Sequence, residues 1–315
     1  PIPFDEHTYN IDTQGLYSLI RKEQPKLLVI GWSEFLFPHP LSQIREVCDK
    51  YGTRIMYDMS HVAGLIAGGE FQADAGRMAD IVSSSTGKSL HAPDHGLCLY
   101  NDDHLTGAIN RAVQPLLTSN THPHEIAALG VALVEMKTFG KDYAKQVIKN
   151  AKSLGHSLAN KGVHVLYGTQ GYTESHTILV QLKDTRSKDY VRLLDQAGIT
   201  VNLCALPWDK EGQETGLRLG TQVVTRRGMK EQEMERIAEA ISSVIVEGLD
   251  VSMVFNELVK PLAKEYDGIA YAFDTSTDPL AAEFTKKRWP TQASKTESKG
   301  ELKNRGLRKY LHRLY

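Results

Sequence analysis

The stretch Asp80-Ile-Val-Ser-Ser-Ser-Thr-Gly-Lys88-Ser-Leu90 decides how this chain is read. An apolar entry runs into a cluster of hydroxyls and ends in one lysine. A lysine taken at random is a solvated surface charge, but this one closes a strand-like run. Thirty positions upstream lies Arg54-Ile-Met-Tyr-Asp58-Met-Ser-His61, a second short apolar run, which ends in an acid with a histidine three residues on. Working outward, Lys26-Leu-Leu-Val-Ile30 is a third apolar run, closed by Gly31. Residues 41–52 carry helix spacing through Leu41, Ile44, Val47 and Cys48, with Gly52 as the stop. Strands are expected at Ile55–Tyr57, Ala79–Val82 and Gly96–Tyr100. Strand, helix, strand at this spacing predicts βαβ units, hence an α/β domain with a mostly parallel sheet. Ligands of such sheets bind at the carboxyl ends of the strands. Ser33, Asp58, His61, Ser85 and Lys88 all fall just past such ends.

A strand-end acid followed by a strand-end lysine is the arrangement in which pyridoxal phosphate (PLP) enzymes hold their cofactor. The acid faces the pyridinium nitrogen and the lysine forms the Schiff base. That chemistry sets the expectation for Asp58 and Lys88.

The second half changes pattern. Residues 124–160 read as one or two long helices, with Ile126, Leu129, Val131, Leu133 and Val134, then Tyr143, Val147 and Ala151, as the apolar face. Gly162 to Leu182 alternates like strands, 187–197 is helical, and Ile199–Asn202 starts a strand. Gly216–Gly220 is another strand and 229–247 an amphipathic helix. The expected organisation is a partial large domain over 1–150, a smaller α+β domain over 151–255, and a helical, basic polar extension over 256–315. The segment from Lys286 carries ten Lys and Arg against Glu297 and Glu301. A solvated extension is favoured there over a nucleic-acid arm.

Composition narrows the class. A formal net charge of −1 across 315 residues argues for neither nucleic acid nor membrane as a partner. No apolar run approaches the ~18 residues a spanning helix needs. Three dispersed cysteines, Cys48, Cys98 and Cys204, fit free thiols in a reducing, cytoplasmic setting and neither a disulfide framework nor a zinc site. No set of metal ligands is read. The chain opens at Pro1 without a methionine, and an N-terminal truncation is expected.

Three motifs in order carry a family resemblance. Asp58-Met-Ser-His-Val-Ala-Gly-Leu65 resembles the Asp-Met-Ala-His-x-x-Gly-Leu of serine (glycine) hydroxymethyltransferases. Thr86-Gly-Lys88-Ser-Leu90 resembles their Thr-His-Lys-Thr-Leu. Gly216-Leu-Arg218-Leu-Gly-Thr221, then Thr225-Arg-Arg-Gly228, resembles their Ile-Arg-x-Gly-Thr-Pro and Thr-x-Arg-Gly. The likeness runs from about Ile11 to about Gly248. It implies the aspartate-aminotransferase-like PLP fold (fold type I). It also implies PLP held covalently on Lys88, Asp58 against the ring nitrogen, and His61 as a catalytic and cofactor-contacting residue. Ser33 and Ser85 would line the cofactor, and Arg218 would grip the substrate carboxylate. The implied reaction cleaves or forms the Cα–Cβ bond of a β-hydroxy-α-amino acid, in a homodimer with a shared active site.

Departures from the family pattern bear on the substrate. The histidine before the lysine is Gly87, and the family's Gly-Pro-Arg-Gly-Gly reads Ala92-Pro-Asp-His-Gly96. The glycine-rich phosphate loop reads Leu116-Leu-Thr-Ser-Asn-Thr121. The second asparagine of Asn-Lys-Asn, which meets the folate pterin, is Cys204, which argues against tetrahydrofolate. The alternatives are therefore a folate-independent threonine transaldolase or aldolase, an α-methylserine hydroxymethyltransferase, and, in another class, a non-catalytic relative that keeps only the fold.

Overall fold

A computed structural model describes residues 1–182 and 187–274. Pro1–Ala272 forms one compact unit; a second unit, Phe273–Tyr315, has only its first two residues described. The basic segment from Lys286 lies outside the described residues.

After a small antiparallel pair, β1 (Phe4–Asp5) and β2 (Asn10–Ile11), the main sheet takes the order β3-β4-β5-β6. Its strands are β3 (Leu27–Gly31), β4 (Arg54–Asp58), β5 (Ile81–Ser85) and β6 (Gly96–Tyr100). β3, β4 and β5 run parallel. The helix Leu41–Tyr51 crosses over from β3 to β4 and stops at Gly52 with φ 68°, a left-handed position that costs glycine nothing. β6 runs antiparallel to β5. Residues 86–95 hold no helix, and a parallel crossover needs a dozen residues or more, so the chain can only double back. The sheet is mostly parallel with one antiparallel edge.

Alternation along the strands sets the core. Leu28, Ile30, Ile55, Tyr57 and Val82 turn to one face and join Leu16, Ile20, Ile44 and Cys48 from the flanking helices. Leu27 and Val29, one residue out of phase, are exposed. The helix Thr13–Glu23 begins under Asp12, whose carboxylate accepts from the Gly15 N–H at 3.0 Å.

The smaller sheet is antiparallel, in the order β7-β9-β8, with β7 (Thr177–Gln181), β8 (Asn202–Cys204) and β9 (Gly216–Gly220). A second core forms on it from Ile178, Val180, Leu217, Met234, Ile241 and their neighbours. One helix, Pro123–Asn160, serves both cores, giving Tyr143 and Val147 to the first and Ala151, Leu154 and Leu158 to the second.

Several sequence expectations shift. The strand expected over Ala79–Val82 begins at Ile81, because Asp80 is held outside it, its carboxylate accepting from Arg45 and the Ile55 N–H, both at 2.7 Å. Between Val163 and Tyr167 only one bridge forms, Val165 to Val180; Gly162 at φ 83° and Tyr167 at φ 60° break the extended path. The strand expected from Ile199 starts at Asn202. The early apolar residues of the long helix, Ile126, Val131, Leu133 and Val134, are exposed; burial starts at Ala132 and Met136. Among the described residues no helix is long and apolar enough to cross a membrane.

Candidate active site

β4 and β5 lie side by side, so Asp58, the last residue of β4, is the direct partner of Ser83 in the middle of β5. The Asp58 carboxylate accepts from Ser83 Oγ at 2.8 Å and from the Ser60 N–H at 2.9 Å. Ser60 Oγ in turn accepts from the Ser85 N–H at 2.8 Å. Burial pushes the Asp58 carboxyl up, but the bonds from Ser60 and Ser83 and the Lys88 charge outweigh it, so the group stays below the usual carboxylate range. Asp58 is therefore a fixed anion at a strand end.

The chain after β5 is pinned by buried hydroxyls. Thr86 is fully buried; its N–H donates to the His95 carbonyl at 2.9 Å, its Oγ1 donates to the Pro93 carbonyl, and it accepts from the His95 N–H at 2.9 Å. Ser89 Oγ donates to the His61 carbonyl at 3.1 Å and accepts from the Gly64 N–H at 2.9 Å. Lys88, between these clamps, is held at both flanks. Gly87 leaves its space to a neighbour: a Cβ there would fall 1.7 Å from Asp94 Oδ1. The Asp94 carboxylate therefore occupies the volume that a side chain at 87 would need.

A cavity of about 630 Å³ is lined by Lys88, His61, Arg218, His91, His176 and Thr177 among others. Burial, then the Arg218 and Lys88 charges, pull His61 down to about 4, so it is neutral near pH 7. Asp58 acts on His61 in the opposite direction, so the four charged or titratable groups lie within electrostatic reach of one another. Arg218 comes from β9 of the smaller sheet. Its Nη1 donates to Glu34 Oε1 at 3.2 Å and to the Ser33 carbonyl at 3.3 Å. Neither Nη2 nor Nε has a partner among the described residues, which leaves one planar edge of the guanidinium for a carboxylate.

The structure thus brings Lys88, His61 and Arg218 onto one lining, with Asp58 just behind. Ser33 and Ser85 lie off that lining; Ser33 meets Arg218 through its carbonyl, and Ser85 meets Ser60 through its N–H. Cys204 is a core residue among Tyr9, Leu179 and Leu206, its thiol pushed up to about 12 by burial. Sequence reading missed Glu34 and His176. Glu34 carries a signal, an acid directly after Ser33 in an aromatic run, but its partner lies 184 positions away. His176 is wholly buried and held near 3 by desolvation, and its Nδ1 has no hydrogen-bond partner. An ionised strand-end acid, a pinned lysine, an orphaned imidazole nitrogen on the lining and room for an aromatic ring together fit PLP.

The family profile described as Serine hydroxymethyltransferase matches residues 1–241. Serine hydroxymethyltransferase from Methanobrevibacter smithii is 40% identical over 275 residues, covering 86% of this chain and 64% of that protein. The Pyrococcus furiosus serine hydroxymethyltransferase is 39% identical over 281 residues, covering 86% and 66%. Among solved structures, L-threonine transaldolase from Pseudomonas fluorescens in its internal aldimine state superposes with a TM-score of 0.82 at 30% identity, over 90% of this chain and 66% of that one. The chain spans about two thirds of the length of these relatives. Its α/β fold is that of the fold type I PLP enzymes, and the chain belongs to the serine hydroxymethyltransferase family.

Proposed function

We propose that the protein is a PLP-dependent transferase that cleaves or forms the Cα–Cβ bond of a β-hydroxy-α-amino acid. The observation that carries this is the meeting of Lys88, His61 and Arg218 on one cavity, with the anionic Asp58 behind them. PLP, when bound, supplies an electron sink for the pair released from that bond. Lys88 would hold the cofactor covalently through its amine. Asp58, ionised by its hydrogen bonds, would hold the ring nitrogen in its protonated form. Arg218 takes the substrate carboxylate on its free edge, while Glu34 fixes the guanidinium plane. That grip would fix the orientation of the amino acid in the cavity. His61, neutral at pH 7, offers a hydrogen bond without adding a cation beside Lys88 and Arg218.

The acceptor of the released unit is an aldehyde and not tetrahydrofolate. Cys204 supports this reading: buried in the core, its protonated thiol offers a pterin nothing like an amide. Threonine, serine and α-methylserine are the donor candidates. A shared-site homodimer is part of the same proposal, supported by the apolar Leu116, Leu117, Ile126, Val131 and Val134 left exposed. Free thiols at Cys48, Cys98 and Cys204 suit a reducing, cytoplasmic setting.

Absorbance tests the cofactor assignment. The purified protein is expected to be yellow, with a band near ~420 nm from the lysine–PLP chromophore, and Lys88→Ala is expected to be colourless. A protein that stays colourless with added PLP overturns the proposal. Product assays with threonine or serine, with and without tetrahydrofolate, then test the acceptor; strong stimulation by the folate reverses the aldehyde reading.

A further inference from the structure

His95 replaces a family glycine, and nothing in the proposed chemistry uses it. It projects from the loop that follows Lys88 toward the start of the long helix, thirty residues on. There its Nε2 contacts Glu125 Oε2. His122 Nδ1 lies 3.3 Å from the same oxygen. The three donor atoms, two imidazole nitrogens and one carboxylate oxygen, all lie within 4.8 Å of one another. His124 Nε2 stands 4.0 Å from the other carboxylate oxygen. The histidine rings of 95 and 122 sit 5.4 Å apart, tilted by 38° and not stacked against each other.

We propose that His95, His122 and Glu125 form a binding site for a first-row divalent transition ion, with Zn²⁺ the best match to the donor set. Four donors at ~2.05 Å in a tetrahedron stand ~3.3 Å apart. The His122–Glu125 separation already has that value. His95 and Glu125 are in direct contact and must part to admit an ion, a motion open to two partly exposed side chains. Two imidazoles with one carboxylate suit Zn²⁺ and its neighbours, whereas Mg²⁺ and Ca²⁺ call for oxygen ligands throughout. Three protein ligands leave a fourth position to water. In the single chain the cluster is open to solvent, which gives an ion a way in before any second copy covers this face.

The site has a structural consequence. Its ligands come from two elements: His95 from the loop, and His122 and Glu125 from the first turn of the Pro123–Asn160 helix and the residue before it. An ion there cross-links them. The loop it fastens also carries Asp94, whose carboxylate fills the space at Gly87, next to Lys88. Metal binding therefore braces the strap on which Lys88 sits without touching the cavity.

The experiment uses the whole protein, stripped with a chelator and titrated with Zn²⁺ against a chromophoric competitor, without amino acid. One ion per chain is expected, at micromolar affinity or tighter. Co²⁺ in its place is expected to give the intense visible bands of a tetrahedral site. Both His95→Asn and Glu125→Gln are expected to weaken binding at least 10-fold, whereas His7→Asn, at an exposed histidine away from the cluster, leaves it unchanged. Zn²⁺ is expected to raise the Tm of the parent protein and not that of the two variants, whose metal-free Tm matches the parent's. The absence of stoichiometric binding, or binding equal in the parent and both variants, overturns the site.

Discussion

Arg218 shows how one residue is committed on one side and open on the other. Glu34 and the Ser33 carbonyl share Nη1, and the pair is largely shielded from water, with side-chain exposures of 22% and 16%. Burial raises the Glu34 carboxyl above its usual value, against the lowering pull of Arg218. Such a pair orients a guanidinium more than it stabilises the fold. Arg218→Ala is therefore expected to raise the KM for the amino acid roughly 100-fold, as two charge-assisted hydrogen bonds of about 1.5 kcal/mol each are lost. The band near ~420 nm is expected to stay, since Lys88, not Arg218, is the residue proposed to carry the cofactor. An unchanged KM would make Arg218 a structural partner of Glu34 and nothing more. At this scale the sequence is informative where chemistry follows a strand. Asp58 announces itself because an apolar run ends on it, and Lys88 because it closes the hydroxyl cluster that follows one. Glu34 and His176 do not, because what matters about them is a contact or a missing partner supplied from distant parts of the chain.

The elements around Lys88 work as a set of braces. Thr86 ties the start of the 87–96 loop to its end, and Ser89 ties it to the helix Ala63–Ala67. That helix approaches so closely that a Cβ on Gly64 would fall 2.1 Å from the Ser89 carbonyl. The family-like glycine in Asp58–Leu65 is thus explained by contact with the backbone just after the lysine. In the same loop Gly87 and Asp94 share one space. Gly87→His, which restores the family residue, is expected to collide with Asp94, to lower the Tm and to loosen PLP. Adding Asp94→Gly is expected to recover much of both losses. Calorimetry and cofactor titration on the single and double variants form the cycle; simple additivity would show that the two positions are independent. The strands at 27–31, 54–58 and 96–100 and the helices at 41–51 and 231–245 were legible from apolar periodicity, whereas 163–167 forms a single bridge and the helix Thr13–Glu23 was not expected. The antiparallel return of β6 was not separately predicted, although the short helix-free connection dictates it. The exposure of Ile126 and Val131 was not legible either, because periodicity finds an apolar face without saying what covers it.

At the scale of the molecule, two cores meet along one helix, and the proposed active site draws Lys88 and His61 from the side of the first and Arg218 from the sheet of the second. The change to an α+β pattern in the second half was read from the spacing of apolar runs, without the direction of its strands; the sharing of one long helix was not, since its sequence alone admits two. This packing shields four histidines. Burial holds His39, His61 and His91 down to about 4, and His176 to about 3. An unfolded histidine takes up its proton near pH 6.5, while these wait until well below that in the folded state. Between those values the unfolded chain binds more protons, so their contribution is fully present above pH 6.5 and is lost as the pH falls toward 4. Asp58, whose carboxyl is held low, adds a further loss below the ordinary carboxylate range. His39 and His176, the most deeply buried of the four, would together give a slope of roughly 3 kcal/mol per pH unit once the pH is well below 6.5. Urea unfolding at pH 7.5, 6.5, 5.5 and 4.5 is expected to show stability nearly level over the first interval and falling steeply over the last two. His39→Asn is expected to flatten that fall, because its amide takes up no proton in the folded or the unfolded chain. A profile level down to pH 4.5 would mean that these imidazoles accept protons in the folded state and are not shielded as the packing requires.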